Sequence, residues 1–327
     1  MNKKQILFLA CVIMFLVGVI LFFVLGKEEQ PYSSDYQESD RSNTVVYEGK
    51  EYCYNEHISN YLFVGIDTRD PIEEYETCDD AGRADAIFVL SHNRVDNTLK
   101  CISIPRDTMA NVRMIALDGT DLGTRKEHIN MQYAFGDGKD ESCRLMKDAV
   151  SDILYNVPIQ GYCSLNMDGI AVIAEVLEGV ELTVPDDTLQ QVNPEFVQGA
   201  KVVITKDNAE QFVRHRDTNQ SQSAIDRMNR QKVFLKAAAQ CAKEKSTDDT
   251  KFVVDLYEKL DPYMVTNMGN DIFVKLMQAS YDSEEQIQDI PGEKVDGIEF
   301  DEYHINEMQL YELILQMFYV EVQGNQS

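Results

Sequence analysis

The chain has 327 residues, 44% of them hydrophobic, and its 56 acidic side chains outnumber 30 basic ones to give a net charge of −26. That length suits one large domain or two ordinary ones, and the apolar content is enough for a packed core rather than a disordered chain. The acidity excludes a general DNA- or RNA-binding role and electrostatic docking on an anionic membrane face, because neutralising phosphates takes a broad basic surface.

The first element is an uncharged run, "QILFLACVIMFLVGVILFFVLG", from Gln5 to Gly26. At about 1.5 Å rise per residue it is long enough to cross a hydrocarbon core of about 30 Å. Residues 1–4 hold Lys3 and Lys4, while Glu28 and Glu29 follow the run. The positive-inside rule then leaves the N-terminus in the cytoplasm and the main domain outside, a single-pass cell-membrane protein. The competing reading is a cleaved signal peptide, but the run is longer than a typical h-region and no A-x-A site is evident. Residues 27–57 are polar and are expected to be a solvated spacer, with the folded domain at 58–322 and a short tail at 323–327.

Within that domain "YLFVGI" (61–66) reads as a buried strand. "DAIFVLSHN" (85–93) and "TLKCISI" (98–104) read as two more, joined by the turn-like "NRVDN" into a hairpin. Helical spacing is present at 141–154 and again at 166–179, where Gly179 ends the helix. "VELTVP" (180–185) is a strand stopped by Pro185. A helix over "DNAEQFVRHR" leads through a polar loop to a long amphipathic helix at 224–245. Further helices are expected near 250–260, at 270–281 and at about 305–320. Strands interleaved with helices predict an α/β fold, an αβα sandwich around a central mixed sheet.

Seven cysteines are present: Cys11 in the apolar run, and Cys53, Cys78, Cys101, Cys143, Cys163 and Cys241 beyond it. Their pairing is not readable from spacing, and no C-x-x-C pair points to zinc or redox chemistry. Cys101, inside "LKCISI", reads as a buried free thiol.

The chemistry concentrates in two places. "RHRDTNQSQSAIDRMNRQ" gathers Arg214, Arg216, Arg227 and Arg230 in an otherwise acidic chain. Arg227 and Arg230 lie three apart on one helix, so they share a face. Guanidinium forks match phosphate oxygens, and mutual repulsion among four of them favours an anionic partner. The alternative is a set of surface ion pairs with Asp217, Asp226 and other carboxylates. The second place is the strand ends: Asp67, Arg69 and Asp70 follow the first strand, Arg83 and Asp85 open the second, and Arg106 and Asp107 follow the third. With the second strand antiparallel to its neighbours, these groups converge on one edge. Hard carboxylate oxygens beside phosphate suit Mg²⁺, with Mn²⁺ as a substitute.

"YLFVGIDTRD", "GRADAIFVLS", "KCISIPRDT", "HINMQYAFGDG", "MDGIAVIAEVLEGVELTVP" and "FVRHRD…DRMNRQ" resemble, in order, the blocks of the LytR-CpsA-Psr domain, from about Tyr61 to Tyr319. The resemblance implies an αβα sandwich with an apolar pocket for a polyprenyl chain and arginines at its mouth. It implies transfer of a glycopolymer, such as teichoic acid or capsule, from a polyprenyl-pyrophosphate carrier onto peptidoglycan, aided by Mg²⁺. By matching position, Asp67 and Asp85 are expected to hold the metal. Arg83, Arg106, Arg214, Arg216, Arg227 and Arg230, with Gln231 after the last, are expected at the phosphates. Asp107 is the candidate proton acceptor beside Arg106. The chain departs from the family pattern at Ala224-Ile225-Asp226, at His128 ahead of "IN", and in the long acidic loop from Asp70 to Ala81. The same residues would serve a polyprenyl-pyrophosphate hydrolase, and a non-catalytic lipid- or wall-binding regulator is the other alternative.

Overall fold

A computed structural model of the chain describes residues 44–322, apart from 70, 73–80, 117, 216–222, 249–258, 270–271, 273–274, 277–278, 282–286 and 298–299. The expected anchor at 5–26, the tail at 323–327 and Arg216 lie outside the described residues, as does most of the helix expected near 250–260. In chain order the elements are β1 (Thr44–Tyr47), β2 (Lys50–Tyr54), β3 (Ile58–Ile66), β4 (Ala84–Asn93), β5 (Thr98–Ile104), β6 (Met109–Ile115) and β7 (Asp121–His128). There follow α1 (Asp140–Ile153), β8 (Gly161–Asn166), α2 (Met167–Val176), β9 (Val180–Thr183), β10 (Lys201–Ile204), α3 (Ala209–Arg214) and α4 (Ser223–Asp248). The last are β11 (Met264–Thr266), β12 (Ser280–Tyr281), β13 (Gln288–Asp289), β14 (Gly292–Val295), β15 (Glu302–Ile305), α5 (Glu307–Phe318) and β16 (Tyr319–Glu321).

The central sheet runs β11-β8-β3-β4-β5-β12, with β13 also on β5. It is mixed: β3 pairs β8 in parallel and β4 antiparallel, and β4 pairs β5 antiparallel. β3 is buried along all nine residues, as a strand covered on both faces must be. Successive side chains divide between two cores. Tyr61 and Phe63 join Phe234, Leu235 and Ala238 of α4 and Phe212 of α3 on one face. Leu62, Val64 and Ile66 join Met146 and Val150 of α1 and Leu310 and Ile314 of α5 on the other. Helices therefore cover both faces of the mixed sheet, as the interleaved pattern predicts.

Helix ends follow local chemistry. Asn166 Oδ1 accepts the Gly169 amide at 3.1 Å to open α2, and Asn306 Oδ1 accepts the Gln309 amide at 3.2 Å to open α5. Gly179 stands at φ +100° just past α2, where a left-handed residue is needed.

Three features depart from expectation. The spacer expected at 27–57 carries structure in its last part: β1 and β2 form a hairpin turned by Glu48 and Gly49, both at positive φ, and β16 pairs with β2. Strand pairing with the far end of the chain outweighs the polar composition of this stretch. The segment at 270–281, expected as one helix, ends in β12, which pairs in parallel with Thr98 and Leu99. A two-residue strand has no periodicity to read. The hairpin of β6 and β7 carries almost wholly exposed side chains on β7 and so no apolar alternation.

Cys53, Cys101, Cys143, Cys163 and Cys241 are all free thiols, with Cys101, Cys143 and Cys163 buried. Burial pushes Cys101 and Cys143 up to about 12, so neither supplies thiolate at ordinary pH. A thiol reagent at about pH 8 should therefore modify Cys53 and Cys241 in the native protein well before these three. Peptide mass spectrometry of the labelled protein checks this; rapid labelling of Cys101 before unfolding would contradict the core.

Candidate functional site

The site begins with an irregularity in the sheet. Gly65 pairs with Ala86, but the next residue, Ile66, pairs with Ala84, so Asp85 has no partner across the strand. This is a β-bulge, which locally re-aims a side chain. Its effect is visible in the packing: Ala84 joins the α1 side, whereas Ala86 and Phe88 join the α4 side. Asp85 is thereby turned toward α4.

There its side chain is only 4% exposed and is held between two guanidinium groups. Arg106 Nη1 donates to Oδ1, and Arg227 Nη1 donates to Oδ2 at 3.3 Å. Arg227 is itself buried, at 6% side-chain exposure. Arg106 also donates from Nε to Asp107 Oδ1 at 3.2 Å. The turn carrying these two residues is pinned by its backbone: the Thr108 amide donates to Pro105 O at 3.0 Å, the Asn130 amide to Arg106 O at 3.2 Å, and the Tyr303 amide to Asp107 O at 2.8 Å. A buried carboxylate needs such partners, because desolvation of an unpaired charge is costly.

Asp85, Arg106, Asp107, Arg227 and Gln231 line one pocket, of about 510 Å³ with its open mouth included. Lys294, Glu302 and Tyr303 of the β14–β15 hairpin complete its wall. Sequence reasoning missed these three. They belong to no recognisable motif and lie far from the arginines along the chain. A second pocket, about 430 Å³ on the same measure, lies between the sheet and α2 and α4 and is lined by Gly65, Leu165, Ile173, Phe234 and Leu235. Ala86 and Gln231 are walls of both pockets. A charged mouth thus adjoins an apolar interior. A Cβ at Gly65 would lie 3.1 Å from Ala86 Cβ, so this position admits little more than glycine.

The other expected residues are distributed around this centre. Asp67 follows β3 and accepts the Arg83 amide on Oδ1 at 2.6 Å, while its own amide donates to Arg83 O at 3.0 Å. Gly82 in this turn has φ +81°, and a Cβ there would meet Thr68 Cγ2 at 2.3 Å. The Arg83 side chain is exposed. Arg214 forms a more open pair, donating to Glu210 Oε1 at 3.2 Å, and Arg69 donates to the same oxygen. His128, at the position ahead of "IN", has its Nε2 3.1 Å from Asp301 O and packs edge-on against Phe300.

Arg230 and Gln231 differ most from expectation. Arg230, at 1% side-chain exposure, is not part of the pocket wall. Its Nε donates to Phe212 O at 3.0 Å, Nη1 to Asp186 Oδ1 at 3.1 Å and Thr188 Oγ1 at 2.7 Å, and Nη2 to His215 O. Gln231 Nε2 donates to Val213 O at 3.3 Å. These carbonyls are the ones α3 leaves without helical donors. The Arg-Gln pair therefore caps α3 from α4 and fixes the chain beside Arg214. Sharing a helix face with Arg227 did not bring Arg230 to the pocket, because Asp186, Thr188 and the end of α3 take up its guanidinium. Removing one partner of a buried pair costs about 3–5 kcal/mol, so Arg230→Met should lower the unfolding free energy by about that amount. Arg230→Lys should recover little, since one ammonium cannot reproduce a planar fork. Urea denaturation checks both variants; unchanged midpoints would remove Arg230 from this capping role.

Known structures share this fold. A TagT structure described as bound to LI-WTA superimposes with a TM-score of 0.58 at 20% identity, covering 80% of this chain and 90% of that one. Bacillus subtilis TagV gives 0.59 at 22% identity, covering 80% and 96%. A protein named polyisoprenyl-teichoic acid–peptidoglycan teichoic acid transferase TagU from Halalkalibacterium halodurans is 31% identical over 176 residues, 54% of this chain and 50% of that protein. Its namesake from Bacillus cereus strain AH820 is 30% identical over 221 residues, 65% and 64% of the two chains. The match thus spans between half and two thirds of these two relatives. A third TagU, from Bacillus cereus strain ATCC 14579, is 27% identical over 314 residues, 90% and 91% of the two chains. The model of the LytR_cpsA_psr family matches residues 22–317, and the chain belongs to the LytR-CpsA-Psr family.

Proposed function

We propose that this protein is a membrane-anchored phosphotransferase that moves a glycopolymer from a polyprenyl-pyrophosphate carrier onto peptidoglycan. The observation that carries this reading is the shared wall: Ala86 and Gln231 face both the pocket of Arg106 and Arg227 and the apolar pocket behind it. A lipid pyrophosphate has the same division, with dense negative charge at one end and hydrocarbon at the other. The names of the TagU relatives support peptidoglycan as acceptor and a teichoic acid as one class of donor glycan. The uncharged run at 5–26 would hold the domain outside the cell membrane, beside both substrates.

In this mechanism Arg106 and Arg227 bind the pyrophosphate and hold its developing charge as the anhydride breaks. Arg83 and Arg214, which do not line the pocket, and Arg216, which lies outside the described residues, would add to phosphate binding as the resemblance implies. An acceptor hydroxyl attacks the phosphorus bearing the glycan. The bridging P–O bond breaks, a phosphodiester joins glycan to peptidoglycan, and polyprenyl monophosphate leaves. Asp107, oriented by Arg106, is the candidate acceptor for the hydroxyl proton. Arg230 positions the helix ends rather than touching the phosphate, while Gln231 both caps α3 and lines the pocket.

The donor set fits Mg²⁺. Asp85 has two carboxylate oxygens that each accept one guanidinium bond here, and each oxygen has further acceptor capacity. Asp67 stands at the adjacent strand end with Oδ1 on a backbone amide. No cluster of three or more His, Cys, Asp or Glu is present among the described residues. Mg²⁺ is usually held by one or two carboxylates together with substrate phosphate and water. When bound, Mg²⁺ would supply a positive charge at the phosphoryl oxygens.

The test uses the full chain in detergent with a polyprenyl-pyrophosphate-linked glycan, with and without a peptidoglycan acceptor. Acceptor-dependent formation of the phosphodiester is expected, and release of glycan phosphate at the same rate without acceptor would instead identify a hydrolase. Arg106→Lys and Arg227→Lys should each lose roughly ten- to a hundredfold in rate, from charged hydrogen bonds of about 1.5–3 kcal/mol. Asp67→Asn and Asp85→Asn should abolish the response to added Mg²⁺. Normal metal-dependent turnover in both Asn variants would remove these carboxylates from the metal site.

A further inference from the structure

One charged group in the pocket has no part in the reading above. Lys294 lies on β14, paired with Tyr303 of β15, and both side chains line the pocket of Asp85, Arg106 and Arg227. Its Nζ is buried and makes no hydrogen bond among the described residues. One carboxylate oxygen, Asp301 Oδ2, lies 2.8 Å away as an ion pair but off the direction a hydrogen bond requires. An ammonium has three donors, and burying it without hydrogen bonds is costly. The hairpin that holds it is firmly placed: the Tyr303 amide donates to Asp107 O at 2.8 Å, Tyr303 Oη to Ile290 O at 2.7 Å, and the Ile290 amide to Ser103 O at 3.0 Å. Its charge also reaches the start of α4, where Lys294 partly offsets the upward shift that burial and Asp186 impose on Asp226. Lys294 thus lines the same pocket as Arg106 and Arg227, ion-paired to Asp301 and with donor capacity to spare.

We propose that Lys294 is a phosphate-binding residue of this site, donating to pyrophosphate oxygens in the pocket it shares with Arg106 and Arg227. The proposal rests on the phosphotransferase reading and adds a residue to it from outside the sequence blocks that define the family resemblance. A compact ammonium with rotatable donors suits an oxygen whose position changes as the phosphoryl group transfers, where a planar fork would be held to one geometry. The alternative is that Lys294 and Asp301 form an ion pair whose work is to hold the hairpin together.

Calorimetric binding of inorganic pyrophosphate and of geranyl pyrophosphate to the full chain, with Mg²⁺ present, separates the two. Lys294→Met should weaken binding of both ligands by about tenfold or more, the loss of one charged hydrogen bond. Lys294→Arg should retain most of the affinity. Asp301→Asn should bind at least as tightly as the natural chain, because it frees the ammonium. Should Lys294→Met fail to fold, Lys294→Gln and Asp301→Asn decide the matter by the same measurements. Equal losses of affinity and stability in the Lys294 and Asp301 variants would mean a structural pair and overturn the proposal. Weakened binding in Arg227→Lys with unchanged binding in Lys294→Met would overturn it alone. Absence of pyrophosphate binding in the natural chain would overturn the wider reading with it.

Discussion

The site depends on one buried carboxylate. Asp85 is held by Arg106 from the end of β5 and by Arg227 from α4, elements that approach only because the sheet and helix pack as they do. Interactions of this kind add little net stability, since desolvating the charges offsets most of their attraction. Their value lies in what they prevent. Two guanidinium groups near one another repel, and a carboxylate between them keeps both pointed into the pocket. The bulge at Asp85 is the backbone condition for this arrangement. Without the extra residue, strict alternation would keep Ala84 on the α4 side and turn Asp85 to the α1 side of the sheet.

Support for that centre comes from long-range ties rather than from the residues themselves. Arg230 and Gln231 take the terminal carbonyls of α3, so α3 and α4 meet at a fixed angle and Arg227 is held in place. The β14–β15 hairpin is stitched to the turn after β5 through Asp107 and Ser103. One wall of the pocket is thus built from residues near 85 and 106, and another from residues near 294 and 303. Both walls are tied to the end of β5, so residues distant along the chain meet at one place.

Charge is distributed unevenly on this molecule. The whole chain carries −26, yet the pocket sets three cations, Arg106, Arg227 and Lys294, against three carboxylates, Asp85, Asp107 and Glu302. Under the proposed function, a neutral pocket in an acidic body would admit a pyrophosphate most readily together with a divalent cation, which would neutralise part of the ligand and give the carboxylates a partner. The apolar pocket that shares Ala86 and Gln231 with it lies directly beside these charges.

The sequence by itself determined the local elements and their chemistry. The apolar runs at 61–66, 85–93 and 98–104 became β3, β4 and β5, and the helical spacings near 141, 166, 209, 224 and 305 became α1 to α5. These signals are readable because a strand or helix facing a core repeats its apolar residues at a fixed period. The convergence of Asp85 and Arg106 was legible too, because antiparallel pairing of β4 and β5 brings one strand's start beside the other's end. What the sequence left open was the partner each charge would choose. Nothing in "DRMNRQ" tells that Arg227 turns to Asp85 while Arg230, three residues on, turns to Asp186 and the end of α3. Nor does "GEKVDG" announce that Lys294 enters the same pocket. Period and composition are properties of neighbours along the chain, whereas hydrogen-bond partners are chosen among neighbours in space, and only the tertiary structure decides which those are.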